Sequence, residues 1–460
     1  MSKKIIILGG GPGGYVAAIR AAQLKAEVHL IENAKLGGTC LNVGCIPTKV
    51  LLHTSELYQS ILHSGLMGLK PNKIEIDWDT LIKRKEEVVS QLVGGIKSLL
   101  RSNHVVLHNG RGTLIDDHTI RIDGKEDLYG DAIILAVGSV PVSLDFPGAD
   151  LKGVINSTEA LCLPSLPQSM VIVGGGIIGI EFASLFASFG CKVTVIEQLE
   201  EILTETDGDI ANRIKQQLNT IGVEFKTKST LTEIIEKGNQ LTAHFICQEK
   251  KHSITAEYIM IAIGRKPNTS NIGLEKAGIL MQHNNIIVNK NFETNLSGIY
   301  AIGDCNGKIM LAHAASAQGV AAVEHALGYK AAYYPQTIPS CIYTNPEAAG
   351  VGLTEEQAKQ QGLKYKIGRF FLSGNGKAII ENNGTGIVKI IAGEQYGEIL
   401  GIHIYGPRAT DIISEAALAI RLEATEDELI STIHAHPTIT ESITEAALSL
   451  KGMAIHQKKQ

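Results

Sequence analysis

Three features of this 460-residue chain predict an α/β protein: one parallel-sheet unit used twice, and a different α/β module towards the C-terminus. First, KKIIILGGGPGG and QSMVIVGGGIIG each set G-x-G-x-x-G directly after an apolar run, at Gly9, Gly11, Gly14 and at Gly174, Gly176, Gly179. Second, each is followed by helical spacing and another strand that ends on an acid, Glu32 or Glu197, 23 residues after the first glycine in both. Third, residues 340–460 alternate strands and helices without such a turn. One glycine fingerprint alone is weak evidence. Two with matching strand, helix and acid spacing predict two Rossmann-like dinucleotide-binding domains.

The first strand is IIIL, behind the short basic MSKK, which is read as a strand lead-in and not as a signal peptide. The glycines that follow allow a tight turn and close approach of a pyrophosphate, and the next helix offers unpaired N–H groups and a positive dipole end. Glu32 and Glu197 are then placed to accept from a ribose hydroxyl. Each half closes on a similar strand, AIILAVGS through Gly138 and YIMIAIGR through Gly264. From first to closing glycine the first half is about 39 residues longer, Gly9–Gly138 against Gly174–Gly264.

That extra length holds LGGTCLNVGCIPTK, residues 36–49, with Cys40 and Cys45. In one continuous helix two residues five apart have Cα atoms roughly 8.6 Å apart, whereas a disulfide needs about 4.4–6.8 Å. If the pair bridges, Cys40 is expected off the helix, on the glycine-rich turn. Cys45 would then open the helix that continues through Pro47 and TKVLLHTSELYQSIL, where the dipole favours a thiolate. Two unrelated reduced core cysteines are the alternative. A dithiol built into the first nucleotide's domain points instead to a working redox pair beside a redox ring.

In the second half, residues 170–190 are apolar enough to imitate a membrane span, but Glu181 and the glycine triplet divide them into strand, turn and helix. Glu197 is followed by Gln198 with no arginine to meet a 2′-phosphate, which favours NAD over NADP there. The first half, with the redox segment packed in, suits a permanently held flavin.

GIYAIGD, residues 298–304, reads as a strand ending at Asp304, ahead of a small-residue helix that includes Ala312. Asp304 either caps that helix or accepts from a ribityl hydroxyl, with the helix N–H groups against the flavin. Near the chain end, HAHPTITE sets His436 before Pro437, and Thr438 with Glu441 fits a capping box. Glu441 either caps or orients His436 as a base; His434 reads as a packed loop residue. The expected division is 1–145, 146–268, 269–339 (returning to the first domain) and 340–460.

Charged residues make up 19% and the net charge is −5, so no basic surface argues for nucleic acid. Seven scattered cysteines are an odd set, unlike a secreted disulfide framework, and suggest a reducing compartment. No metal-ligand spacing stands out.

GGTCLNVGCIPTK and the order of both nucleotide motifs closely resemble the group I pyridine nucleotide–disulfide oxidoreductases, across essentially the whole chain. ILGIHIYGPRATDIISEAALAI and HAHPTITE look most like the dihydrolipoyl dehydrogenase branch, the flavoprotein components of 2-oxo acid dehydrogenase complexes. The resemblance implies FAD in the first half (Gly9, Gly11, Gly14, Glu32, Lys49, Gly138, Asp304, Ala312) and NAD in the second (Gly174, Gly176, Gly179, Glu181, Glu197, Gly264). It implies Cys45 as the flavin-proximal sulfur, Cys40 as the one that exchanges with substrate, Lys49 near flavin N5 with Glu181 as partner, His436 as acid/base and Glu441 as its orienter. It further implies a cytoplasmic homodimer whose C-terminal domain forms the interface and delivers the histidine to the other subunit. The other partner would be a lipoyl-bearing acyltransferase or carrier protein, with no nucleic acid and no membrane; a matrix or plastid setting would require a removed transit peptide. Thr48 and Lys266 depart slightly from the family pattern. The chain end GMAIHQKKQ lacks the paired cysteines of mercuric or thioredoxin reductases. A sibling disulfide reductase, or a non-turnover redox sensor, is the alternative.

Overall fold

A computed structural model describes residues 2–238, 240–382 and 384–458. The first glycine turn follows the strand Lys4–Leu8, whose Ile5, Ile6 and Ile7 are wholly buried, as a strand covered on both faces requires. It lies centrally in a five-stranded parallel sheet ordered Ile299–Ala301, Ala132–Leu135, Lys4–Leu8, Glu27–Glu32, Val106–Asn109. The second half repeats the plan around Ser169–Val173, with Lys192–Ile196 and Glu224–Lys226 on one side and Tyr258–Ile261 and Val154–Asn156 on the other. The apolar stretch that imitates a membrane span is this central strand plus the helix Ile177–Ser188, and no helix among the described residues is long and apolar enough to cross a membrane.

Each parallel sheet carries an antiparallel three-stranded ribbon, Gly112–Tyr129 in the first half and Ser229–Ala256 in the second, inserted before the closing strand. The extra length of the first half is helical: Gly38–Val43, Cys45–His63 and Trp78–Ser102. Small residues set the closest helix contact. Pro12–Gln23 packs on Ala312–Ala326, and a Cβ at Gly319 would meet the Gly13 carbonyl at 2.6 Å.

Beyond residue 339 the architecture changes to one antiparallel sheet, ordered Ser340–Ile342, Glu347–Gly352, Ile399–Gly406, Ile387–Gly393, Tyr365–Phe371. The helices Ala409–Arg421 and Glu441–Leu450 cover it. This module locks onto the second half through buried charges. Lys389 Nζ, 1% exposed, meets Asp207 (0% exposed) at 2.9 Å, Asp209 at 2.9 Å and Glu355 at 2.7 Å.

Candidate functional site

Both glycine turns are built alike. Gly9 and Gly174 have φ of +106° and +115°, and a Cβ on Gly14 or Gly179 would run into the carbonyl oxygen of Gly9 or Gly174. Gly176 faces open space and Gly11 nearly so, leaving the helix N-termini of Pro12–Gln23 and Ile177–Ser188 bare for a phosphate. The two acids do more than the fingerprint implied. Glu32 accepts from the N–H groups of Gly10 (2.7 Å) and Ala34 (2.8 Å), and Glu197 from those of Gly175 (2.5 Å) and Leu199 (2.7 Å). Each carboxylate therefore fixes its turn while keeping lone pairs for a ribose.

One cavity of about 2060 Å³ joins the two turns. That is about twice the upper end of an ordinary ligand pocket, room for two dinucleotides. Its lining includes Gly9, Gly11, Glu32, Gly138, Asp304 and Ala312 from the first half and Gly174, Gly176, Glu181, Glu197 and Gly264 from the second. Gly14 and Gly179 act from behind, by letting helix and strand touch. Asp304 follows the strand Ile299–Ala301 in a 3₁₀ turn and does not cap the helix at Ala312. Its Oδ2 accepts from Ser139 Oγ at 2.5 Å, and Ser139 Oγ in turn accepts from Arg265 Nε at 2.8 Å.

Cys40 and Cys45 line the same cavity between the turns. They are free thiols, near enough for each to shift the ionisation of the other. Cys40 does not sit on a turn as expected. It occupies its own short helix, Gly38–Val43, which ends at Gly44 (φ −144°, ψ −111°) before Cys45 opens the next. The break at Gly44 achieves what the distance argument demanded, because the two cysteines never share one continuous helix. The neighbouring Cys40 thiol, reinforced by the Lys49 ammonium and opposed by burial, brings the Cys45 thiol down to about 7. Cys45 and burial push Cys40 up.

Lys49, one turn beyond Cys45, pairs with Glu181 of the second half at 2.7 and 3.0 Å. Glu181 Oε1 also accepts from the Tyr343 backbone N–H at 3.1 Å, and the Tyr343 ring centroid lies 4.5 Å from Lys49 Nζ. Sequence patterning had marked neither Tyr343 nor Ser139 and Arg265, whose contacts span 126 to 165 residues of chain or more.

His436 stands apart from this cavity in the single chain, with its side chain 79% exposed. Glu441 Oε1 meets its Nδ1 at 2.9 Å while Oε2 accepts from the Thr438 N–H at 2.8 Å. Burial would raise the Glu441 carboxyl, but the Thr438 N–H and the His436 ring outweigh it and hold it below the usual range. His434 is packed between Glu415 and Thr444, at 2.8 Å from each. Among the described residues no group of three or more His, Cys, Asp or Glu could hold a metal ion.

Comparison with known proteins agrees with this geometry. Residues 3–319 match the model of the pyridine nucleotide-disulphide oxidoreductase family, and residues 338–447 match its dimerisation domain. A dihydrolipoyl dehydrogenase of Bacillus subtilis is 41% identical over 98% of this chain and 99% of its own, and a mitochondrial one of Pisum sativum is 40% identical over 98% and 92%. Among solved structures, LpdA of Mycobacterium tuberculosis superposes with a TM-score of 0.90 at 27% identity, covering 97% of this chain and 99% of that one. The HOCl-induced flavoprotein disulfide reductase RclA of Escherichia coli does so at 0.86 and 28%, covering 96% and 98%.

Proposed function

This chain belongs to the pyridine nucleotide-disulphide oxidoreductase family, and from that premise we propose that it reoxidises protein-bound dihydrolipoamide to lipoamide with NAD⁺, as the flavoprotein of a 2-oxo acid dehydrogenase complex. The observation that carries the reading is the Cys40–Cys45 pair in one cavity with two phosphate-accepting glycine turns. FAD and NAD are the cofactors. The first turn with Glu32, Gly138, Asp304 and Ala312 suits FAD, and the second with Glu197 and Gly264 suits NAD; bare Gly11 and Gly176 permit the close approach that a pyrophosphate needs. When bound, FAD supplies an acceptor for the dithiol's electron pair and a donor of hydride to NAD⁺.

The residues of the chain divide the remaining work. In the oxidised enzyme a substrate thiol, deprotonated by the partner subunit's His436, attacks Cys40 Sγ; the Cys40–Cys45 bond breaks and Cys45 leaves as a thiolate. The second substrate thiol attacks the substrate sulfur of that mixed disulfide, closing lipoamide and returning Cys40 as a thiol. An ordinary thiol of pKa about 8.5 is only a few per cent ionised near neutrality, so the base is needed. Lys49 holds the negative charge of Cys45, Glu181 holds Lys49, and Glu441 orients the imidazole. The exposure of His436 and the match of residues 338–447 to a dimerisation domain support its delivery to a second copy of the chain. The division at 145, 268 and 339, a lipoyl-bearing partner and a cytoplasmic setting belong to the same reading.

The likeness to RclA favours a sibling disulfide reductase as the second reading. Turnover of purified holoenzyme with dihydrolipoamide, glutathione and thioredoxin, each with NAD(H) and NADP(H), decides. The proposal expects sustained cycling with dihydrolipoamide and NAD⁺. Stoichiometric reduction without cycling, or preference for another disulfide, overturns it.

A further inference from the structure

We propose that Tyr343, delivered by the C-terminal module, is a positioning residue of the redox site, whose ring face holds the Lys49 ammonium in place beside Cys45. The proposal deepens the function above and rests on it only for the presence of flavin.

Tyr343 grips both members of one ion pair. Its backbone N–H binds Glu181 Oε1 at 3.1 Å, and its ring lies 4.5 Å from Lys49 Nζ. Lysine is a point charge on a four-carbon stem, and a single carboxylate partner leaves it free to pivot. Glu181 is almost buried at 5% exposure, whereas the Lys49 side chain keeps 30%. The aromatic face supplies the second wall, and neither contact uses the phenol oxygen. Tyr343 packs against the apolar cluster to which Leu51 and Leu52, of the helix that carries both Cys45 and Lys49, belong. It directly follows the strand Ser340–Ile342, the first of the antiparallel sheet. The C-terminal module therefore reaches the redox site of its own chain, as well as presenting His436 elsewhere. Lys49 is one of the groups that favour the Cys45 thiolate, so a Lys49 that pivots away weakens that thiolate.

The test uses two-electron-reduced holoenzyme and follows the long-wavelength absorbance of a thiolate against flavin, titrated with pH across neutrality. In Tyr343→Leu the midpoint is expected to move up, with the Cys45 ionisation constant reduced about two- to five-fold, the range of an ordinary ring–cation contact. Tyr343→Phe, which keeps the ring, is expected to restore the wild-type midpoint. Lys49→Met moves the midpoint at least as far, and adding Tyr343→Leu to it moves it no further. An unchanged midpoint in Tyr343→Leu, or a full second shift on the Lys49→Met background, overturns the proposal. If Tyr343→Leu loses its flavin, Tyr343→Met carries the same comparison. Failure of wild-type protein to turn over dihydrolipoamide would strike the substrate reading and leave this titration intact.

Discussion

Glu441 serves two masters with its two oxygens: one takes the Thr438 backbone N–H at 2.8 Å, the other meets His436 Nδ1 at 2.9 Å. Capping and orientation are rival readings of this residue in the sequence; the helix Glu441–Leu450 has Thr440 at its N-cap and no side-chain cap bond, so the Thr438 capping box does not form, and Glu441 instead ties the preceding loop and meets His436. Glu441→Ala should lose both contacts, costing about 1.5–3 kcal/mol of stability as a hydrogen bond to a charged group does and lowering dithiol turnover. Glu441→Gln keeps an acceptor for Thr438 but no charge. Its melting temperature should stay near wild type while turnover falls, and parallel loss of both quantities would contradict the split.

His436→Ala should reduce dihydrolipoamide oxidation about 10²- to 10⁴-fold, the usual contribution of a positioned base. NADH oxidation by an artificial electron acceptor should suffer far less, since it bypasses the thiols. Equal losses in the two assays would remove His436 from its role.

The Cys45 thiol, brought down to about 7 by the adjacent Cys40 thiol and by Lys49, sets the pH response of the reduced enzyme. Because the shift favours the charged form, the thiolate persists above neutrality and is lost as pH falls through about 7. The long-wavelength absorbance of reduced holoenzyme should fade on acidification with that midpoint. A midpoint above 8.5, the ordinary thiol value of about 8.5, would mean that neither Cys40 nor Lys49 acts as described.

Gly176 and Gly179 belong to one motif but have different jobs. A Cβ at Gly179 would strike the Gly174 carbonyl, whereas one at Gly176 enters open space. Gly179→Ala should therefore destabilise the protein by about 1–3 kcal/mol, as overpacking does. Gly176→Ala should melt normally and raise the KM for NAD⁺. Thermal melts and NAD⁺ titrations of the two variants should rank in opposite orders.

Lys389→Met leaves Asp207 buried without its cation, and the cost of such an uncompensated charge is about 3–5 kcal/mol. Combining it with Asp207→Leu should recover part of that loss. Denaturant melts of the single and double variants test this; additive losses would mean that the two residues do not act as a pair.

The doubled parallel sheet was legible because its signals are local: an apolar strand leads straight into the glycine turn, and the acid follows the first glycine by 23 residues. The redox pair was legible through its place in the first nucleotide's domain and the resemblance of its motif, although the short helix under Cys40 was not, since six residues broken by Gly44 carry no helical period. Tyr343, Ser139 and Arg265 escaped notice for a different reason. Nothing in a tyrosine after CI, or a serine after AVG, announces a partner more than a hundred residues away, and only the folded chain supplies it. The tie between Glu32 and the Gly10 N–H was hidden by the very motif that marked Glu32, because the fingerprint assigns the acid to the ligand and not to the loop.

The edge strand Ile299–Ala301 belongs to the sheet begun at Lys4, yet the entire second nucleotide unit is spelled out between them. A ribosome making this chain must therefore finish the later unit before it can finish the earlier one. Asp304 and Ala312, which line the cavity, emerge only after that whole unit, with His313, Ala315 and Tyr343 still to follow. Cofactor capture during synthesis consequently waits for roughly two thirds of the polypeptide, and a nascent chain stalled before residue 300 would expose an open sheet edge to its neighbours.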